Sequence, residues 1–133
     1  MLRKLLVTTG LVVALLTTQA GAALADVTEV NATITSVTLI DPAHALVEGT
    51  VTCDAPATAL VDVVLRQRGG VFGFREALGA TSVSCGPTPT PFSLVVTGGP
   101  LHRGSALLDA SLFAFDELGQ LAQNRLITTV AIR

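Results

Sequence analysis

Tryptophan and tyrosine are absent, only 14% of the 133 residues are charged, and there are two cysteines. Lysine does not occur after residue 25. Each shortage excludes something. Two cysteines are too few for a mini-protein held together by several disulfides. Intrinsic disorder needs low hydrophobicity and high net charge, whereas half of this chain is hydrophobic. All ten acidic residues lie at or after Asp26, where they face six arginines, a balance of −4. An acidic, lysine-free domain lacks the cationic surface from which nucleic-acid binding by counterion release is built. No nucleic-acid partner is expected.

The N-terminus reads as an export signal. Arg3 and Lys4 precede an uncharged run from Leu5 to Leu16, followed by Thr17-Thr18-Gln19 and then Ala23-Leu24-Ala25. That order is a positive n-region, an apolar h-region and a small-x-small cleavage triplet, which places cleavage after Ala25. The apolar run is shorter than the ~20 residues a membrane-spanning helix needs. Residues 1–25 are therefore expected to be a removed signal peptide. Residues 26–133 are expected to form one secreted extracellular domain without a membrane anchor.

Within residues 26–133, turn-forming clusters recur at Asp41-Pro42, Asp54 to Pro56, Gly69-Gly70, Gly86 to Pro91, Gly98 to Pro100 and Asp116 to Gly119. Runs rich in Val, Leu, Ile and Thr lie between them. Short strands separated by such signals predict an all-β domain, an Ig-like or fibronectin-type antiparallel sandwich of about seven strands. The expected strands are 27–40, 45–53, 58–68, 75–85, 92–97, 105–115 and 124–132. The first changes parity near Thr35-Ser36, where the apolar face passes from Val30, Ala32 and Ile34 to Val37 and Leu39. That change predicts a bulge or a switch between sheets. The fourth is weakened by Gly79. The sixth is apolar on both faces, which predicts a central position. The stretch from Leu101 to Leu112 is the best helical rival, because Ala and Leu are good helix formers.

Cys53 and Cys85 end the second and fourth expected strands. If strands two, three and four run up, down and up, both sulfurs reach the same end of the domain. In an oxidising compartment they are then expected to form a disulfide. The pair lacks CxxC spacing and nearby histidine, so no metal and no cofactor are expected. The Ig framework proper, which joins its second and sixth strands across a tryptophan, does not fit.

No catalytic residue is expected. Ser105, His102 and Asp109 can be drawn as a triad, but the Gly-x-Ser-x-Gly elbow is missing. His44 and His102 both adjoin turns and read as exposed loop residues. Asp116-Glu117 lacks the alternating oxygen ligands of a calcium loop and reads as a turn. The segment with most character runs from Arg66 to Arg75. Arg66, Arg68, Phe72, Phe74 and Arg75 crowd around Gly69, Gly70 and Gly73, which suggests a hairpin tip offering aromatics and cations for binding.

The strand end Gly49-Thr50-Val51-Thr52-Cys53-Asp54, the later Cys85-Gly86 and the strand from Arg103 to Phe115 resemble those of small exported actinobacterial proteins of unknown function. The resemblance implies a secreted single-disulfide β-sandwich and brings no activity with it. The two-disulfide patterns of the apo-carriers for enediyne antibiotics and of the secreted subtilisin inhibitors are missing. The expected function is a non-catalytic extracellular interaction or structural module. Its partner would be an extracellular protein or a cell-envelope component. The alternative is a small secreted enzyme or inhibitor acting through its loops.

Overall fold

The structure is a computed structural model that describes residues 26–69, 73–119 and 121–133. The expected signal peptide and Phe72 lie outside the described residues. Seven strands follow one another: β1 (Val30–Asp41), β2 (His44–Cys53), β3 (Ala57–Arg68), β4 (Phe74–Cys85), β5 (Thr90–Gly98), β6 (Gly104–Phe115) and β7 (Leu121–Ile132). The region of the helical rival is loop up to Arg103 and strand β6 beyond it. Ala and Leu there alternate between two faces rather than following a helical stripe, and the pairing of β6 with β3 and β7 decides the local structure.

The strands form one closed barrel in the order β1-β2-β5-β4-β3-β6-β7. The expected arrangement was two separate sheets. Two seams close the ring, and both are short. β4 meets β5 only at Ala77↔Gly98 and Leu78↔Thr97. β1 meets β7 in parallel at Val37↔Ile132, reinforced by reciprocal backbone bonds between Val37, Leu39 and Arg133. Where β1 and β7 part, the Asn124 side-chain amide donates to the Val30 carbonyl at 2.9 Å and to Asn31 Oδ1 at 2.9 Å. The remaining seams are long. β3 pairs with β4 without interruption from Ala57↔Cys85 to Arg68↔Phe74.

The change of parity in β1 is a bulge. Ile34 pairs with Gly49 and Ser36 with Glu48, so Thr35 is left over. The extra residue returns the apolar side chains to the interior, where Val37 is buried. Gly49 sits opposite this bulge because a Cβ there would strike the Thr33 carbonyl and the Phe92 ring. Gly79 has a similar reason. A Cβ at 79 would collide with the Val95 carbonyl, so the residue that weakens β4 in propensity also lets β5 approach it.

The core is filled by the inward parity of each strand: Val47 and Val51 from β2, Val61, Val63 and Leu65 from β3, and Leu108 and Leu112 from β6. Both ends are plugged. Leu101, in the β5–β6 loop, closes the end that also carries the β1–β2 and β3–β4 connections. Its amide donates to the Pro42 carbonyl at 2.6 Å. That loop contains a cis Gly99–Pro100 bond. Val27 is buried at the opposite end, beside Ala55 and the cysteines. Cys53 and Cys85 form a disulfide there, with Cα atoms 5.5 Å apart. The amide of Cys53 also donates to the Gly86 carbonyl at 2.9 Å. These links tie β2 to β4 where β5 has not yet begun, below the short β4–β5 seam.

Candidate functional site

The outer surface has two unlike halves. On β1, β2 and β5 the outward residues are mostly Asn31, Thr33, Thr38, Glu48, Ser93 and Thr97. On β4, β3, β6 and β7 large apolar side chains stand among polar and charged ones. Residues directly opposite in an antiparallel pair share a face, so the register defines the rows of this surface. One row runs Leu78, Val64, Asp109, Ile127. Two residues further along the strands, the next runs Ala80, Asp62, Ser111, Arg125. Then come Leu60, Phe113 and Gln123, followed by Thr58, Phe115 and Leu121. Among the described residues eleven large hydrophobics are exposed, and of these Ile40, Val95 and Leu118 lie off this face, Leu118 adjoining it in the β6–β7 turn. Monomer surfaces expose single apolar residues commonly and contiguous apolar patches rarely.

The middle of the face holds a fixed ion pair. Asp109 is only 7% exposed although it points outward, because its neighbours cover it. Arg125 grips it with Nε to Oδ1 at 2.9 Å and Nη2 to Oδ2 at 2.5 Å, while its own side chain stays largely exposed. The two hydrogen bonds from Arg125 hold the Asp109 carboxyl below the usual carboxylate range, with the Arg125 and Arg66 charges adding to them against the opposing effect of burial. Two parallel bonds to a carboxylate orient the guanidinium as well as hold it. The arrangement is an oriented cation beside Ser111, between Gln123 and Ile127 of its own strand. Beside it, Arg66 Nε donates to Glu76 Oε1 at 2.9 Å.

The residues of the expected binding tip divide. Arg66, Arg68 and Phe74 stand on this same outer face, which they extend toward the β3–β4 hairpin. Phe74 is 69% exposed. Arg75 has the opposite parity. Its guanidinium turns to the Pro100 carbonyl at 3.2 Å, and its side chain lies over Gly69. Arg75 is thus engaged in holding the β5–β6 loop. Phe74→Ala is expected to change the unfolding free energy by no more than about 0.5 kcal/mol, as for other surface positions, in a denaturant titration.

Ser105, His102 and Asp109 do not form a triad. Both His102 ring nitrogens face backbone carbonyls, Nδ1 toward Arg103 at 2.9 Å and Nε2 toward Arg68 at 3.2 Å. Asp109 is held by Arg125, four residues along the strand from Ser105, which is about 13 Å at the usual rise. His44 is bonded through Nδ1 to Asp41 at 2.8 Å. The Asp116 carboxylate accepts from the amides of Val27 at 3.2 Å and Leu118 at 2.9 Å, the bonds of a turn that also holds the N-terminal plug. Among the described residues no group of three or more His, Cys, Asp or Glu side chains is placed to hold a metal ion. A cavity of about 240 Å³ lies between the β1 bulge and the end of β7, lined by Ile34, Ser36, Val130 and Arg133 among others. It gathers no acid–base pair.

No protein-family model, no curated protein and no solved structure matches the chain.

Besides Asp109, two carboxylates bind the fold together in a pH-dependent way. Asp54 accepts the Thr28 hydroxyl and the amides of Thr28 at 2.8 Å and Glu29 at 3.0 Å. The Thr28 hydroxyl bond, followed by the two amides, lowers its pKa to about 2. Asp41 is lowered in the same direction, first by its bond to His44. A carboxylate depressed in the folded state stabilises fully above its unfolded pKa and loses that contribution as the pH falls toward the folded value. With an ordinary value of 3.8, the loss falls between about pH 4 and pH 2. Denaturant midpoints are expected to drop across that window, and Asp54→Asn is expected to flatten the drop.

Proposed function

We propose that the protein is an exported, non-catalytic interaction module that binds through the outer face of β4, β3, β6 and β7. The observation that carries this reading is the exposure of Leu60, Phe113, Phe115 and Leu121 at one end of the face and of Leu78 and Ile127 beyond them, around an oriented Arg125. Large aromatics and arginine are the residue types that dominate binding energy at protein interfaces. The partner is an extracellular protein or a cell-envelope component. Export is supported by the leader pattern of residues 1–25 and by the disulfide, a bond that persists in oxidising compartments.

The barrel is further read as a flattened Ig-like sandwich. Its two layers would be β1-β2-β5 and β4-β3-β6-β7. The support is the contrast between the short β4–β5 and β1–β7 seams and the long pairings within each layer. The layer that presents the proposed face would then be a single four-stranded sheet. The Cys53–Cys85 bond would join the layers through their second and fourth strands.

Capture from culture supernatant and cell-wall extract tests the reading. The wild type as bait is expected to retain a partner that Phe113→Arg, melting at the same temperature, does not. Equal retention by both would remove this face from the binding surface. Intact-mass analysis of the exported form is expected to show a chain starting at Asp26. A full-length chain in the membrane fraction would contradict the export signal.

A further inference from the structure

We propose that the molecule which covers the β4-β3-β6-β7 face is a second copy of this chain, so that the protein forms a face-to-face homodimer. This inference rests on the interaction reading above and names its partner.

The first argument is charge. The face carries three acids, Asp62, Glu76 and Asp109, and three arginines, Arg66, Arg68 and Arg125. They cancel. The whole net charge of −4 over residues 26–133 therefore lies on the rest of the surface. Two copies repel one another in most orientations, and the repulsion is least when the neutral faces meet.

The second argument is area. All four strands on this side are twelve residues long. As the single sheet of the sandwich reading above, with ~4.8 Å between strands and ~3.3 Å per residue, the face would measure about 19 by 40 Å, or about 760 Å². A stable protein–protein interface takes about 800 Å² from each partner.

The third argument is self-complementarity. A two-fold axis in the plane of the contact, running along the strands between β3 and β6, carries each row onto itself in reverse. Leu60 then faces the partner's Phe113, and Leu78 faces the partner's Ile127. Asp62, which has no ion-pair partner among the described residues, faces the hydroxyl of the partner's Ser111. Each such contact occurs twice, as an isologous interface requires. Sheets packed face to face in this way keep their strands within about 30° of each other.

Sedimentation velocity on the exported, purified protein tests the inference across a concentration series reaching about 500 μM. The expected result is a monomer–dimer equilibrium with a Kd below about 100 μM, since interfaces of this size span the micromolar to picomolar range. Phe113→Arg and, separately, Leu78→Arg are expected to weaken it by at least about 100-fold while leaving the melting temperature of the dilute monomer unchanged, because both side chains point to solvent. A cysteine pair placed at Leu78 and Ile127 of the two copies is expected to cross-link the dimer. A monomer at every concentration overturns the homodimer. In that event the capture experiment still decides separately whether the face binds another molecule. A dimer that persists in both arginine variants also overturns it, because association would then use a different surface.

Discussion

Cys53→Ser is expected to lower the unfolding free energy by about 2–5 kcal/mol, the usual cost of removing a native disulfide from a small secreted domain. The bond closes a loop of 32 residues. The chain-entropy estimate for a loop of that length is about 3.7 kcal/mol. A domain of this size has about 5–15 kcal/mol of stability in all. The location adds a structural reason for a large effect. β4 and β5 share two residue pairs, and below them the disulfide and the Cys53 amide bond to Gly86 are what hold β4 against β2. Denaturant unfolding of the oxidised and reduced wild type beside Cys53→Ser measures the effect. A variant as stable as the oxidised wild type would show that the seam closes without the bond.

Gln67→Leu is expected to cost about 2–4 kcal/mol. Gln67 is 1% exposed and has the inward parity of β3. Its amide nitrogen donates to the His102 carbonyl at 2.7 Å and the Ser105 carbonyl at 3.3 Å, and its Oε1 accepts from the His102 amide at 2.9 Å. It thus satisfies three backbone groups of the loop that carries the Leu101 plug. Leucine keeps most of the volume and removes every one of those bonds. Leaving buried polar groups unpaired costs about 1–3 kcal/mol each, reduced where water can enter. A thermal melt with Thr38→Ala as an exposed control measures the loss. Hydrogen exchange is expected to speed up at residues 98–104 in the variant. A loss no larger than that of Thr38→Ala would mean that the loop holds its place without Gln67.

The strands were legible because their chemistry is local. Val47, Val51 and Cys53 alternate with Glu48, Thr50 and Thr52, and the barrel uses that alternation as written. The bulge at Thr35 was legible for the same reason, since an extra residue must shift parity. Closure into a barrel was not legible. It depends on one parallel pair and two antiparallel pairs, which no periodicity records. Gln67 was missed although its parity matches Val61, Val63 and Leu65. Its polar side chain read as part of the hairpin tip, and the loop that it satisfies lies 35 residues further along the chain.

The apolar face was half legible. The apolar residues on both sides of β6 predicted a central strand, and β6 does lie between β3 and β7. Central position explains paired edges, however, and does not explain why Leu107, Phe113 and Phe115 point outward and stay exposed. The expected tip was one end of this larger surface. Arg66, Arg68 and Phe74 belong to it by parity, whereas Arg75, one residue out of phase, serves the β5–β6 loop. The Asp109–Arg125 pair needed the β6–β7 register, because the two residues lie 16 positions apart in the chain.

Hydroxyl-radical footprinting tests the central claim most directly, by comparing the protein in dilute purified form with the protein in concentrated native culture medium. Phe113, Phe115 and Leu121 are expected to be labelled readily when dilute and protected in the medium. Ile40 and Val95, exposed on the other half of the surface, are expected to be labelled equally in both. Equal labelling of the β4-β3-β6-β7 face under the two conditions, or protection confined to Ile40 and Val95, would contradict the assignment of this face as the binding surface.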